Sequence, residues 1–501
     1  MISDPLAGDL ILSEKAVHCG GFSVIISSKG GKARKIDKEV IFMEKTRARS
    51  RQRDVDMTQG SAFRHILFFA LPLLAGNVFQ QMYNTVDTWV LGNYVGNQAF
   101  SAVGAVSPIV NMLIGVFAGL SSGAGVVISQ YYGAHRQKEV HDAVHTAIML
   151  TVILTVALSA VGVGMTPAML RLMKTPEDVF PEAQTYLTIY FGGMIGLLFY
   201  NMGAGILRAV GDSRRPFYYL VAAAVLNIVL DLLFVVAFGM GVEGVAWATV
   251  IAQTVSAALT MGTLLRSNSW IRLIPKDVRI HGEMLKKTVV VGIPAALQMA
   301  VTAFSNVFVQ SYINQFGANC MGGYTAYAKI DQLVLLPMQS LALASTTFVG
   351  QNIGKGQVER ARRGVRTTLA MAVGATVAIS AVVIATAPQL VRFFNAEAEV
   401  IDYGTMFLRT MTPFYVFCCV NQIYSGALRG AGDSRAPMVI MLFSFVVFRQ
   451  AYLFVVSNYI ANEVLPLAMG YPAGWLVCSV LTLIYYRRAQ FGRNLVSETA
   501  C

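Results

Sequence analysis

Charge is scarce in this chain: Asp, Glu, Lys and Arg make up 13% of the 501 residues, against 55% apolar side chains. With a mean hydropathy of +0.56, there is too little polar material to wet the surface of a soluble domain. Cysteine is sparse too. Cys19, Cys320, Cys418, Cys419, Cys478 and Cys501 show no CxxC or other ligand spacing. Only Cys320 falls in a predicted outward loop, so an extracytoplasmic disulfide has no partner. A signal-peptide apolar core is missing from the N-terminal stretch. A nucleotide loop is missing as well: GQNIGKG (Gly350 to Gly356) has glycine after Lys355, where a phosphate-binding loop needs Ser or Thr, so ATP-driven chemistry is unsupported. HDAVH (His141 to His145) spaces two histidines one helical turn apart but supplies no third metal ligand. No nucleophile and base pair emerges within the apolar runs, which argues against an enzyme.

What is present is a succession of long apolar runs. AIMLTVILTVALSAVGVGM (Ala147 to Met165) and LVAAAVLNIVLDLLFVVAFGM (Leu220 to Met240) are each long enough to cross a bilayer as a helix. Twelve such spans are predicted, near 65–91, 101–130, 143–165, 184–207, 217–239, 244–265, 288–316, 322–350, 365–386, 404–428, 436–457 and 466–486. The runs are continuous, whereas the strands of a membrane barrel alternate over about ten residues, so the spans are helices. Orientation follows from Lys and Arg, which accumulate on the cytoplasmic side. Alternate connections, from Arg136 to the tail at Arg493, hold 21 of them, while the intervening loops hold only Arg171, Lys174 and Arg392. Both termini are therefore expected in the cytoplasm of a cell bearing this chain in its inner membrane. This bias and a basic N-terminal stretch account for the net charge of +12, leaving no reason to invoke nucleic acid.

Residues 1–56 differ from the rest, with eleven Lys/Arg, eight Asp/Glu and no capacity to bury a core. They are expected to be a disordered cytoplasmic tail, or not to be translated at all if synthesis starts at Met57. The remainder repeats itself: ILRAVGDSRRP (Ile206 to Pro216) recurs as ALRGAGDSRAP (Ala427 to Pro437), an offset of 221 residues. The same shift brings Gln130 and Gly133 onto Gln351 and Gly354, and Pro167 and Arg171 onto Pro388 and Arg392. The expected organisation is an all-α polytopic membrane protein of twelve helices in two pseudo-symmetric six-helix lobes. These are residues 57–265 and 288–488, with a cytoplasmic linker at 266–287 and a tail at 489–501. Six spans per repeat is an even number, so the repeats are parallel, with a substrate path between them.

Acids inside a membrane span cost roughly 2.5–3.5 kcal/mol each on insertion scales, so a retained one marks function by default. Asp87 stands late in the first span, and Asp231 stands mid-way through the fifth with Asn227 one turn before it on the same face. Their oxygens can converge on a small ion. Alternatively they are protonated hydrogen-bonders that join helices. The repeat favours the ion, since the shift places Phe448 and Tyr452 opposite Asn227 and Asp231, and a joining role should recur. The second half carries Lys329, Asp331, Arg409 and Arg449 inside its spans, which serve either a structural ion-pair network or a cavity-lining and gating role, as Asn84 does in the first half. Pro72, Pro108, Pro294, Pro337 and Pro413 permit bends.

ALPLLAGNVFQQMYNTVDTWVLG (Ala70 to Gly92), the paired LRxxGDSR segments and NIVLD together resemble the multidrug and toxic compound extrusion (MATE) family over about residues 60–488, closest to its prokaryotic DNA-damage-inducible F-like branch. The resemblance implies two lobes flanking a central cavity and export of cationic or amphipathic compounds in exchange for H⁺ or Na⁺. It implies a first-lobe cation site at Asp87, Asn227, Asp231 and Thr249. It implies no cofactor and no metal beyond a Na⁺ at that site, with small lipophilic cations and membrane lipid as partners and a monomer as the working unit. A lipid or lipid-linked oligosaccharide flippase is the competing reading, and the twelve spans with few interior positive charges favour the exporter.

Overall fold

The computed structural model describes residues 55–173, 175–489 and 496; residues 1–54 of the expected N-terminal extension, and the tail beyond 489 apart from Val496, lie outside the described residues. Ten continuous helices are long and apolar enough to cross a bilayer. In chain numbering they are α1 (Ala62–Val95), α2 (Gln98–Gly133), α3 (Gln137–Leu172), α5 (Arg214–Ala237), α6 (Val242–Leu265), α7 (Gly282–Asn314), α8 (Ala318–Gly354), α9 (Val358–Ala385), α11 (Arg435–Ile460) and α12 (Val464–Arg488). The fourth, α4, consists of Phe180–Gly192 and Met194–Ala209, bent by 48°. The tenth, α10, consists of Ala398–Met411 and Tyr415–Gly430 joined by a 3-10 turn at Thr412–Phe414. Taken as one broken span, α4 is the eleventh helix apolar enough to cross, and α10 stands in the place of the tenth expected span; no strand occurs among the described residues.

The breaks in α4 and α10 occupy equivalent places in the two halves, since Gly193 and Phe414 are 221 residues apart. Only one of them is at a proline. Pro413 interrupts α10, whereas Pro72, Pro294 and Pro337 are absorbed within continuous helices. In α4 the break comes at Gly193, where a Cβ would overlap the Val250 side chain of α6. Close packing, rather than a missing N–H, bends the first-lobe helix.

The repeated LRxxGD motif is a helix stop. Gly211 N–H donates to the Arg208 carbonyl and Asp212 N–H to that of Leu207, closing a Schellman turn, and Gly432 and Asp433 repeat both bonds onto Arg429 and Leu428. The turn needs a left-handed residue, and Gly211 and Gly432 have φ of 84° and 95°. The following aspartate then starts the next helix: Asp212 Oδ1 accepts from Arg214 and Arg215 N–H at 3.1 Å each, and Asp433 Oδ1 accepts from Ala436 N–H at 3.1 Å. The motif thus ends α4 and α10 and launches α5 and α11.

The lobes meet chiefly where α2 packs on α7 and where α8 packs on both α2 and α1. In the first seam small residues bring backbones together: a Cβ at Gly119 would overlap Ala296, and one at Gly123 would overlap Gly292. The linker is shorter than expected, because α7 starts at Gly282 and takes up Lys286 and Lys287. What remains is held on α3, with Ile274 N–H donating to His145 Nε2 at 3.0 Å and His281 N–H to the Thr146 hydroxyl at 3.1 Å. Fold also supplies the third ligand the HDAVH motif lacked, placing Asp277 beside His141 and His145. Yet His145 Nδ1 faces the His141 carbonyl at 2.7 Å while its Nε2 accepts from Ile274, so neither ring nitrogen is left for a metal. The cluster is a clasp for the linker.

Cys320 is not the accessible thiol that an outward loop would present. It stands at the start of α8, at the predicted outward end, but its side chain is buried and therefore shielded from an impermeant thiol reagent. The neighbouring Ala318 is exposed. In intact cells Ala318→Cys should label rapidly and native Cys320 should not; an Ala318→Cys protein that labels only after the membrane is opened would reverse the assigned topology.

Candidate cation site

Asp87 and Asp231 each stand just before a stretch where the helix widens to π geometry, Leu91–Val95 in α1 and Leu232–Ala237 in α5. Such stretches recur at functional sites because they displace the regular bonding ladder and re-aim the side chains beside them. α1 packs on α5, and this brings the two carboxyl groups near enough to act on one another electrostatically. Asp231 is fully buried, Asn227 is 2% exposed, and Asp87 is half-buried with its Oδ1 sealed from solvent.

Among the described residues, no donor outside the pair reaches Asp231 Oδ1, Asp231 Oδ2 or Asp87 Oδ1, and both polar atoms of the Asn227 amide are idle. Two bare carboxylates brought near one another where water is scarce repel, so the arrangement calls for a shared proton or a small cation between them. Thr249, 6% exposed on α6, which packs on α5, donates its hydroxyl hydrogen to the Val245 carbonyl at 3.0 Å. That leaves the oxygen's lone pairs free to accept or to ligate. Carboxylate, amide and hydroxyl oxygens are the donor set of a small hard cation.

Sequence reasoning missed the tyrosines gathered near the acid pair. Tyr83, one turn before Asp87 on α1, and Tyr186 on α4 lie within electrostatic reach of Asp87. Tyr186 stacks on Tyr190 at 6.1 Å, and both rings are nearly sealed. The i, i+4 spacing of Tyr83 and Asp87 is the one signal that pointed to them. Asn84, by contrast, is exposed, and its carbonyl accepts from the Thr88 hydroxyl at 2.8 Å without joining the acid pair.

The second lobe is arranged differently. Tyr452, the counterpart of Asp231, donates to the Pro466 carbonyl at 3.0 Å. Arg449 is 1% exposed and ion-paired with none of the described residues; its Nη1 donates to Ser305 Oγ at 3.1 Å and Asn306 Oδ1 at 3.2 Å, and Phe445 and Tyr471 rings flank the guanidinium at 4.5 and 4.8 Å. Asp331 accepts a long contact of 3.5 Å from Tyr327, whereas Lys329 and Arg409 are exposed. No salt bridge among the described residues includes any of the four, so of the two alternatives the ion-pair network is not formed there.

One family model, MatE, matches residues 72–233 and matches again over residues 294–455. The chain belongs to the MatE family. The two matched segments lie one in each half of the internal repeat, the first ending within α5 and the second within α11. Curated MatE relatives include the probable multidrug resistance protein YoeA of Bacillus subtilis (strain 168), 30% identical over 437 residues that cover 85% of this chain and 94% of the relative. Another is the probable multidrug resistance protein YpnP of the same organism, 29% identical over 434 residues, 86% of this chain and 96% of the relative. Among solved structures, an outward-facing conformation of a multidrug resistance MATE family transporter superposes with a TM-score of 0.83 over 87% of this chain and 97% of that one, at 23% identity. This MatE protein is thus a multi-pass membrane transporter with the twelve-helix, two-lobe fold of its family, and nothing in these likenesses favours a flippase.

Proposed function

We propose that this protein is a cation-coupled antiporter that exports cationic or amphipathic small molecules by alternating access, with H⁺ or Na⁺ bound at Asp87, Asn227, Asp231 and Thr249. The observation that carries the reading is the buried Asp87–Asp231 pair, which no protein donor or positive side chain neutralises among the described residues. An exchangeable cation fills that deficit, and its departure restores the repulsion, so occupancy is tied to the spacing of α1 and α5. Ion binding thereby biases a packed two-state element, which is what coupling requires. Multidrug relatives of similar length support small-molecule export as the transported class. The charge bias of the loops supports an inner-membrane protein with both termini in the cytoplasm.

The test is flux in proteoliposomes containing the purified full chain and a fluorescent lipophilic cation, under an imposed pH gradient, an imposed Na⁺ gradient, or neither. Substrate should move uphill under one of the two gradients and stop when that gradient is collapsed by the matching ionophore. Equal flux in all three conditions would remove the coupling reading.

A further inference from the structure

The ends of α2 and α8 that carry the basic loops meet across the boundary between the lobes, and the hydrogen bonds there form a matched pair. Gln130 at the end of α2 donates through Nε2 to the Gly430 carbonyl at 2.9 Å, and Gln351 at the end of α8 donates through Nε2 to the Ala209 carbonyl at 2.9 Å. Residues 130 and 351, like 209 and 430, are 221 positions apart. Each lobe therefore reaches into the other with the same residue and takes hold of the same acceptor, the carbonyl at the C-terminal residue of the bent helix. Such terminal carbonyls have no partner within their own helix. Both glutamines are fully buried.

Glycine makes this approach possible. A Cβ at Gly133 would overlap the Gln351 carbonyl, and one at Gly354 would overlap the Gln130 carbonyl, so the backbones of α2 and α8 touch where the glutamines cross. A strap of chain from Val55 to Gly60 lies against the same junction. Val55 N–H donates to the first-lobe Val210 carbonyl at 3.0 Å, while Met57 N–H donates to Gln351 Oε1 at 2.9 Å and the Met57 carbonyl accepts from Arg360 Nη2 at 3.0 Å. Met57 is 1% exposed. Val55 and Asp56, grouped by sequence with the N-terminal extension expected to be disordered or untranslated, thus belong to the folded body. Gln351 is engaged at both ends of its amide, one lobe on the nitrogen and the strap on the oxygen.

We infer that Gln130 and Gln351 are the reciprocal bonds that close the cytoplasmic side of the transport path, and that their release is the step that opens it inward. The inference rests on the alternating-access reading above. A gate built from neutral amides suits that cycle. When the lobes part, each glutamine and each carbonyl exchanges its partner for water at little net cost, so closure is firm while dry and reversible when wet. A gate of ion pairs would instead vary with pH and salt.

The test uses full-length protein in proteoliposomes, with native cysteines replaced and one reporter, Ser129→Cys, which sits in the junction against Gly350 and is 1% exposed in this state. An impermeant maleimide is applied from the cytoplasmic face. Gln130→Met combined with Gln351→Met keeps side-chain length but removes both donors, and should raise the labelling rate by about tenfold, as expected for the loss of two neutral hydrogen bonds. Gly133→Ala should raise it too, by wedging the backbones apart while leaving both glutamines in place. Maximal export rate should fall with little change in KM, because the gate does not touch substrate. Unchanged labelling in the double Gln→Met protein, in vesicles where substrate still alters labelling of the unmodified gate, would overturn the gate assignment alone. Labelling that never responds to substrate or ion gradient, with or without the substitutions, would overturn alternating access itself.

Discussion

Asp231→Asn and Asp87→Asn should each give a folded protein whose gradient-driven export falls by about 5- to 150-fold, the usual range for a coupling free energy between linked sites. Asparagine keeps the shape and hydrogen-bonding capacity of aspartate but cannot exchange a proton or neutralise a cation. In the wild type the two carboxyls face one another with no outside donor. After either substitution the amide can donate to the remaining carboxylate, so α1 and α5 stay locked whatever the ion does. Substrate binding at equilibrium should persist, and downhill exchange should outlast uphill export. Thr249→Ala should cost less, since a hydroxyl contributes one neutral ligand while the carboxylates contribute charge. Tyr452→Phe is the internal control, because that hydroxyl only ties α11 to the Pro466 carbonyl. The measurement is uphill flux beside thermal unfolding. If the two acids only join helices, asparagine serves equally well, and wild-type export by well-folded Asp87→Asn and Asp231→Asn proteins would end the ion assignment.

Gly119→Leu and Gly123→Leu should prevent folded protein from accumulating. At these positions α2 has no room for a Cβ, since the backbones of Ala296 and Gly292 on α7 occupy its place. Neither clash can be relieved by rotating a side chain, because the obstacle is main chain. Overpacking of a rigid contact costs about 1–3 kcal/mol or more, and here four carbons must be inserted along the seam that joins the lobes. Gly374→Leu on α9 is the control, as a Cβ there meets nothing within 4 Å. Monodisperse yield after detergent extraction reads the outcome. Near-normal yield of the Gly119→Leu and Gly123→Leu proteins would mean that the α2–α7 seam is looser than the contact described.

The spans were legible because the transfer of each apolar side chain into lipid is a local quantity that sums along the run. The repeat was legible because LRxxGD has a local job, ending one helix at a left-handed glycine and starting the next at an aspartate. Asp87, Asn227 and Asp231 were visible as costly polar atoms in an apolar run, and Asn227 and Asp231 could be placed on one face from their spacing alone. Tyr186 and Tyr190 were not visible, because an aromatic residue in a membrane span is unremarkable until its neighbours are known.

By itself, then, the sequence determined the twelve helices, the twofold repeat and the acids worth watching, since each of these is written in short local patterns of residue type. Contacts between distant helices were decided by tertiary structure. It set Asp87 of α1 against Asp231 of α5, bent α4 at Gly193, buried Cys320 at an end predicted to be open, used up both nitrogens of His145, and crossed Gln130 and Gln351 between the lobes. The physical reason is the same in each case. Hydropathy and turn chemistry are paid residue by residue, whereas the partner of a buried polar atom depends on the angle and depth at which two helices cross, and small residues such as Gly119, Gly133 and Gly354 set that depth without leaving any periodic signal of their own.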